Sequence, residues 1–294
     1  MRAIILLSLL IISASNSALA EPDFAHIKHM AQLSSDTYEA VQQEELNTTT
    51  LANKLALQDE VLLHDAVIPN SDVLYFLSEN DHYQTIAIRG TANLNNVIVD
   101  LTVSLQPNKA LGILLHQGFA EAAKQVLEDV RPHLKDNKPI QITGHSLGGA
   151  IAVVLGMLIQ QETLPLEKIT TFGQPKVTNV SGAKRFADLP LIRVVTQDDI
   201  VPLVPPISPL QIRNLDIFWH IGEEIILLAP HQYSITSGLK SAMRATKFTN
   251  KLPSEDNLLA HTIAQYLSLL EQLQQNRQAV PYRMDINLFG ISID

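Results

Sequence analysis

"PIQITGHSLGGAIAVVLG", residues Pro139 to Gly156, sets a histidine, a serine and three glycines between two apolar runs. PIQIT reads as a short apolar strand. AIAVVLGMLIQ is apolar on every side, the pattern of a helix buried against a sheet. Between them, Gly144, Ser146 and Gly148 spell Gly-x-Ser-x-Gly, which in this setting is a sharp strand-to-helix turn carrying an exposed serine oxygen. A residue held in so strained a turn needs neighbours without Cβ atoms, because side chains at 144 and 148 would strike each other and the adjoining strands. The turn lifts the hydroxyl out of the sheet. The helix that follows then points its free N–H groups and the positive end of its dipole at any oxyanion formed there.

Working outward, strands and helices alternate. Phe24 to Val41 reads as a helix, and DVLYFLSEN and YQTIAIRG as two strands joined by a turn at Glu79, Asn80 and Asp81. A helix from about Gln117 carries Phe119, Ala123, Val126, Leu127 and Val130 on one stripe, and Pro132 should end or kink it. KITTFG, LIRVVTQ and GEEIILLA repeat the short-strand pattern, and Asn257 to Gln274 reads as one closing helix. The expected fold class is α/β: a mainly parallel central sheet with helices on both faces. With 294 residues, 46% hydrophobic and 17% charged, and no internal repeat or linker-like block, residues 21–294 read as a single domain. The role of the tail 275–294 stays open between a terminal strand, a docking segment and disorder.

Residues 1–20, MRAIILLSLLIISASNSALA, combine Arg2, an apolar stretch from Ala3 to Ile12 and a small-residue Ala18-Leu19-Ala20 end. That is the pattern of a cleaved secretory signal, and the apolar run is too short to span a bilayer. An exported protein, periplasmic or secreted, is expected. It contains no cysteine, so its stability must come from its core. The formal net charge of −9 argues against nucleic acid as a partner. No His-Glu-x-x-His, clustered acidic loop or Gly-x-Gly-x-x-Gly helix start is present, so neither metal nor dinucleotide cofactor is expected. The Asn-x-Ser/Thr patterns at Asn47 and Asn179 matter only in a glycosylating host.

A serine hydroxyl needs a base to take its proton and a carboxylate to orient that base. Where the nucleophile sits on such an elbow, the chain order is serine, acid, histidine. Three histidines follow Ser146, namely His220, His231 and His261, and Asp198 and Asp199 stand past the end of the LIRVVTQ strand. The backbone N–H of Leu147, next after the nucleophile, is one expected oxyanion donor.

From about Val73 to Leu270 the chain resembles the class 3, or fungal-type, lipases of the α/β-hydrolase fold. The shared motifs are IAIRGT, HQGF at His116–Phe119, GHSLGGA, TFGQPKV from Thr171, VVTQDDIVPLVPP, FWHIGEEI at Phe218–Ile225 and AHTIAQY, in the family's order. The resemblance implies Asp199 as the acid, since it shortly precedes the Val-Pro pair, with Asp198 a solvated turn residue. It implies His261 as the base, which helical periodicity alone would place on the surface. His220 falls in a motif of structural character, and His231 has no motif support. Thr91 is implied as the second oxyanion donor. The implied activity is cofactor-free hydrolysis of lipid esters, that of a triacylglycerol lipase working through a Ser-His-Asp triad and an acyl-enzyme. Alternatives are a phospholipase A1, an esterase for short or aromatic acyl chains and, more remotely, a non-catalytic binding protein on the same fold.

The chain departs from the family in the segment after Thr91, where Val97 stands in the place of an aromatic residue. Leu94, Val97, Ile98 and Leu101 still fall at the spacing of a short amphipathic cover. Val201, Leu203, Val204, Ile207 and Leu210 form an apolar loop after the acid. This loop is read either as an acyl groove or as a proline-stiffened connection.

Overall fold

The computed structural model describes residues 21–39, 41–42, 45–69, 71–91, 105–205, 217–228, 230–238, 241, 254–282, 286–288 and 291–293. The signal-like residues 1–20, the cover-like residues 94–101 and Ile207 and Leu210 lie outside them.

The described chain is built on a nine-stranded sheet whose spatial order is its chain order. The strands are β1 (Val61–Ile68), β2 (Val73–Glu79), β3 (Gln84–Ile88), β4 (Ile140–His145), β5 (Leu166–Phe172), β6 (Leu191–Thr196), β7 (Glu223–Leu227), β8 (Gln232–Thr236) and β9 (Gln278–Ala279). Strands β3 to β7 run parallel. Antiparallel pairs join β1, β2 and β3 on one side and β7 to β8 on the other. All residues of β3 and β4 are buried, as expected of central strands covered on both faces. A separate four-stranded sheet unites Leu105–Asn108, Ile113–His116, Thr178–Asn179 and Phe218–Trp219.

The helices are α1 (Phe24–Glu39), α2 (Thr48–Ala56), α3 (Gln117–Val130), α4 (Leu147–Gln161), α5 (Val180–Arg185), α6 (Glu255–His261) and α7 (Ile263–Gln275). Two apolar clusters sandwich the sheet. One joins α3 and α4 to Ile86, Ile88, Ile140, Ile142 and Ile169. The other joins α1, α2 and α7 to Phe76, Ala87, Phe172, Val194 and Ile225. Alternate residues of one strand, Ile86 and Ala87, face opposite clusters, as the two-residue pleat requires. Helix α4 buries eleven of its residues, in line with its apolar sequence. Helix α3 ends at Val130, and Pro132 sits in the 3₁₀ turn that follows.

Three features differ from the sequence reading or were not visible in it. The single closing helix is two helices broken at Thr262, whose side chain caps α7. Strand β1, helix α2 and the small sheet were not anticipated. Within the tail, Gln278 and Ala279 pair with β8, and residues 286–288 and 291–293 form an antiparallel pair of strands.

Candidate active site

The turn after β4 has the strain its sequence implies. Ser146 adopts φ 58° and ψ −127°, a left-handed-side conformation that a non-glycine residue holds only when its surroundings enforce it. Its N–H donates to the carbonyl of Phe172 at the end of β5, 2.8 Å away. The glycines answer to sterics in the way proposed from sequence. A Cβ on Gly144 would lie 2.5 Å from the Gly148 carbonyl, and one on Gly148 would lie 2.2 Å from the Ile88 oxygen of β3.

The structure brings Ser146, His261 and Asp199 together. His261 Nε2 lies 2.8 Å from Ser146 Oγ, and Nδ1 lies 2.8 Å from Asp199 Oδ2. All three side chains are buried. Asp199 accepts two further hydrogen bonds: Tyr266 Oη donates to Oδ2 at 2.5 Å and the Val201 N–H to Oδ1 at 2.8 Å. With Asp199 Oδ2 as acceptor, His261 Nδ1 carries the proton and Nε2 is left to accept from the serine. The arrangement is therefore set to draw a proton from the hydroxyl and to stabilise the imidazolium that results.

His261 reaches this position because α6 ends on it. It is the last residue of α6, and the break at Thr262 lets the side chain enter the sheet's carboxyl edge rather than follow a continuous helix surface. Thr196 Oγ1 donates to the Ala260 carbonyl at 2.8 Å, fastening the end of α6 to the end of β6. Gly173, after β5, has φ +59°. A Cβ there would lie 2.8 Å from Asp199 Oδ2, from His261 Nδ1 and from its Cε1, so only glycine leaves room for the acid–base contact.

The remaining candidates separate cleanly. Asp198 is exposed, and its carbonyl accepts from Asn257 Nδ2 at 2.8 Å. His220 Nε2 donates to the Pro202 carbonyl at 2.7 Å, a structural contact. His231, with φ 67°, donates from Nδ1 to the Gln272 carbonyl at 2.9 Å, away from the serine. Thr91 follows Gly90, whose Cβ would lie 3.2 Å from Ser146 Cβ, so the segment carrying Thr91 runs beside the elbow. Leu147 opens α4; as a first-turn residue its N–H has no intrahelical acceptor. The loop after the acid is pinned: Lys176 Nζ, itself buried, donates to the carbonyls of Leu203 and Pro205 at 2.5 and 2.9 Å, and Val201, Leu203 and Val204 are buried. Asn179 caps α5 through its side chain and is buried, and Asn47 caps α2.

Sequence reasoning missed four residues here: Tyr266, Gly173, His145 and Tyr38. His145, one residue before the nucleophile, is buried. Its Nε2 donates to the His261 carbonyl at 2.6 Å and its Nδ1 accepts from Tyr38 Oη at 2.8 Å. Burial, with the neighbouring His261 ring, holds its pKa well below the usual histidine range. Burial likewise pushes the Tyr38 hydroxyl up. Tyr266 and His145 stood inside motifs already quoted, but nothing in spacing alone gives them partners.

The sequence model of the family described as Lipase (class 3) matches residues 85–208, a span that holds Ser146 and Asp199. Over that span the chain is similar to the class 3 lipases. A lipase of Rhizopus niveus is 33% identical over 153 residues, covering 47% of this chain and 39% of that protein. A secreted mono- and diacylglycerol lipase of Gibberella zeae is 32% identical over 160 residues, covering 41% and 39%. The matches to these two lipases thus span well under two thirds of their length. The crystal structure of a lipase from Rhizopus microsporus var. chinensis superposes with a TM-score of 0.56 at 25% identity, over 69% of this chain and 75% of that one. The chain accordingly has the α/β-hydrolase fold, with the mainly parallel sheet and two helical layers expected of it.

Proposed function

We propose that this chain is an exported serine ester hydrolase that cleaves lipid esters, with triacylglycerols as the leading substrates. The observation that carries this reading is the hydrogen-bonded row Ser146 Oγ–His261 Nε2 and His261 Nδ1–Asp199 Oδ2, at 2.8 Å each. Ser146 attacks the ester carbonyl as His261 takes its proton, and Asp199 keeps the imidazole in the required tautomer and stabilises its charge. Backbone N–H groups of Leu147 and Thr91 receive the oxyanion, assisted by the dipole of α4. His261 then protonates the leaving alcohol and activates water to release the fatty acid. No step calls on a cofactor.

Lipid esters are favoured over other acyl compounds because the relatives that the chain matches are lipases by name, that of Gibberella zeae a secreted mono- and diacylglycerol lipase. Export follows from the signal-like residues 1–20, with residues 21–294 as one catalytic domain. No described helix is long and apolar enough to cross a membrane.

The test is turnover on a p-nitrophenyl ester series, then on tri-, di- and monoacylglycerol and phosphatidylcholine emulsions, by wild type and Ser146→Ala. Long-chain acylglycerol hydrolysis lost in Ser146→Ala is expected. Preference for phospholipid or for short aromatic esters would move the substrate class, and undiminished turnover in Ser146→Ala would end the mechanism.

A further inference from the structure

Between helix α1 and the proposed base runs a chain of hydrogen bonds that the triad itself does not use. It runs from Tyr38 Oη to His145 Nδ1 at 2.8 Å and on from His145 Nε2 to the His261 carbonyl at 2.6 Å. Each link has one direction. A tyrosine hydroxyl has a single proton, and His145 with Nδ1 accepting must donate from Nε2. The two ends are informative: Tyr38 Oη packs against Gly90, which precedes Thr91 of the proposed oxyanion site, and His261 is the proposed base.

The placement is built rather than incidental. Ser34 and Tyr38 lie four residues apart on α1, about 6 Å along a helix. Thr143 and His145 lie two apart on β4, about 6.6 Å along a strand. The two pairs meet in register, Ser34 Oγ with Thr143 Oγ1 at 2.9 Å and Tyr38 with His145 at 2.8 Å. Thr143 Oγ1 also lies 3.1 Å from the Met30 carbonyl, so α1 is riveted to the strand that delivers the nucleophile. The His145 ring lies 4.6 Å from that of His261, and Tyr266 meets its edge at 5.9 Å. His261 ends α6, so its carbonyl is one of the groups a helix terminus leaves without an internal partner. His145 supplies that partner. Gly90 is fixed by the same chain, since a Cβ there would lie 2.3 Å from Tyr38 Oη and 2.5 Å from the His145 carbonyl.

We propose that His145 is a positioning residue, oriented by Tyr38, which holds the main chain of His261 so that its imidazole spans Ser146 and Asp199 in one geometry. This rests on the triad reading above. His145 touches no reacting atom. Without its donor the His261 carbonyl loses its tie to the residue preceding the nucleophile, and the base can drift relative to Ser146. Displacements of that order cost catalysis far more than binding.

The experiment compares wild type, His145→Leu, His145→Gln and Tyr38→Phe on one soluble p-nitrophenyl ester, with fluorophosphonate labelling rates beside kcat and KM. His145→Leu is expected to lower kcat and the labelling rate about tenfold to a hundredfold with KM little changed. His145→Gln, which can place an amide N–H near the site of Nε2, is expected to recover most of both. Tyr38→Phe, which frees the tautomer, should lose about three- to tenfold in kcat, and it decides the matter alone where His145→Leu does not fold. Wild-type kcat in a folded His145→Leu, no rescue by His145→Gln relative to His145→Leu, or wild-type rates in Tyr38→Phe would overturn the proposal. A wild type that fluorophosphonate does not label would instead strike the triad reading beneath it.

Discussion

Gly173 is the residue whose replacement isolates the acid–base contact most cleanly. Gly173→Ala adds one methyl, which would stand 2.8 Å from both Asp199 Oδ2 and His261 Nδ1 on a backbone at φ +59°. We expect kcat to fall about a hundredfold or more with KM nearly unchanged, measured on a soluble ester. Asp199→Asn keeps the shape but no longer enforces the tautomer, and should lower kcat on the order of 10⁴-fold, as removal of that role does in other triads. At this scale the sequence was unevenly legible. Ser146 was readable because its glycine neighbours and flanking apolar runs are local. His261 came from chain order and resemblance, since its burial depends on a helix end no periodicity reveals. Tyr38 and His145 are 107 residues apart and hydrogen-bonded, and only folding creates that pair. The missing Cβ at Gly173 has meaning only against side chains from two other segments.

Among the elements, the break between α6 and α7 does most to place His261, the proposed base. Thr262 accepts from the Gln265 N–H at 3.4 Å as the cap of α7, while its own N–H completes the end of α6 on the Leu259 carbonyl. Thr262→Ala should cost about 1 kcal/mol of stability, read from the urea midpoint, because it removes a helix cap. Its kcat should fall too, since the turn aims His261. The sequence read Asn257–Gln274 as continuous because no glycine or proline interrupts it. A signal was present nonetheless. Thr262-x-x-Gln265 has the form of a capping box, and Ser254, three before Asn257, caps α6 with reciprocal side-chain bonds. The central strands and α4 were legible for the opposite reason: their apolar runs are short, strong and bounded by turn formers. Strand β1 was not, because most of its residues are only half-buried, with Val61 exposed, which blurs the alternation.

Across the whole molecule, two histidines, His145 buried and His26 half-buried, tie stability to pH. His145 is held well below the usual histidine range by burial and by the His261 ring. His26 is lowered to about 4, chiefly by burial and then by Lys168. Both folded-state values lie below the value of about 6.5 expected for an unfolded histidine. Between about pH 6.5 and 4 the unfolded chain therefore binds protons that the folded one refuses, so this contribution is present above about 6.5 and is lost as pH falls. Urea midpoints should decline from pH 7 toward pH 4, and His26→Gln should flatten that decline in the upper part of the window. A midpoint equal at pH 7 and pH 5 would contradict the assignment. The two apolar clusters that sandwich the sheet hold α3 and α4 on one face and α1, α2 and α7 on the other, and α6, which ends on His261, is fastened to the end of β6 through Thr196. The triad is thus a property of the packed molecule more than of any one segment.

The most direct measurement is mass-spectrometric mapping of a fluorophosphonate adduct on the purified protein, paired with turnover of the same preparation. We expect one adduct per chain, on the peptide containing Ser146, in proportion to the activity lost, and none in Ser146→Ala. Label on another residue, or full inhibition with Ser146 unmodified, would contradict the claim that Ser146, His261 and Asp199 act as one catalytic unit.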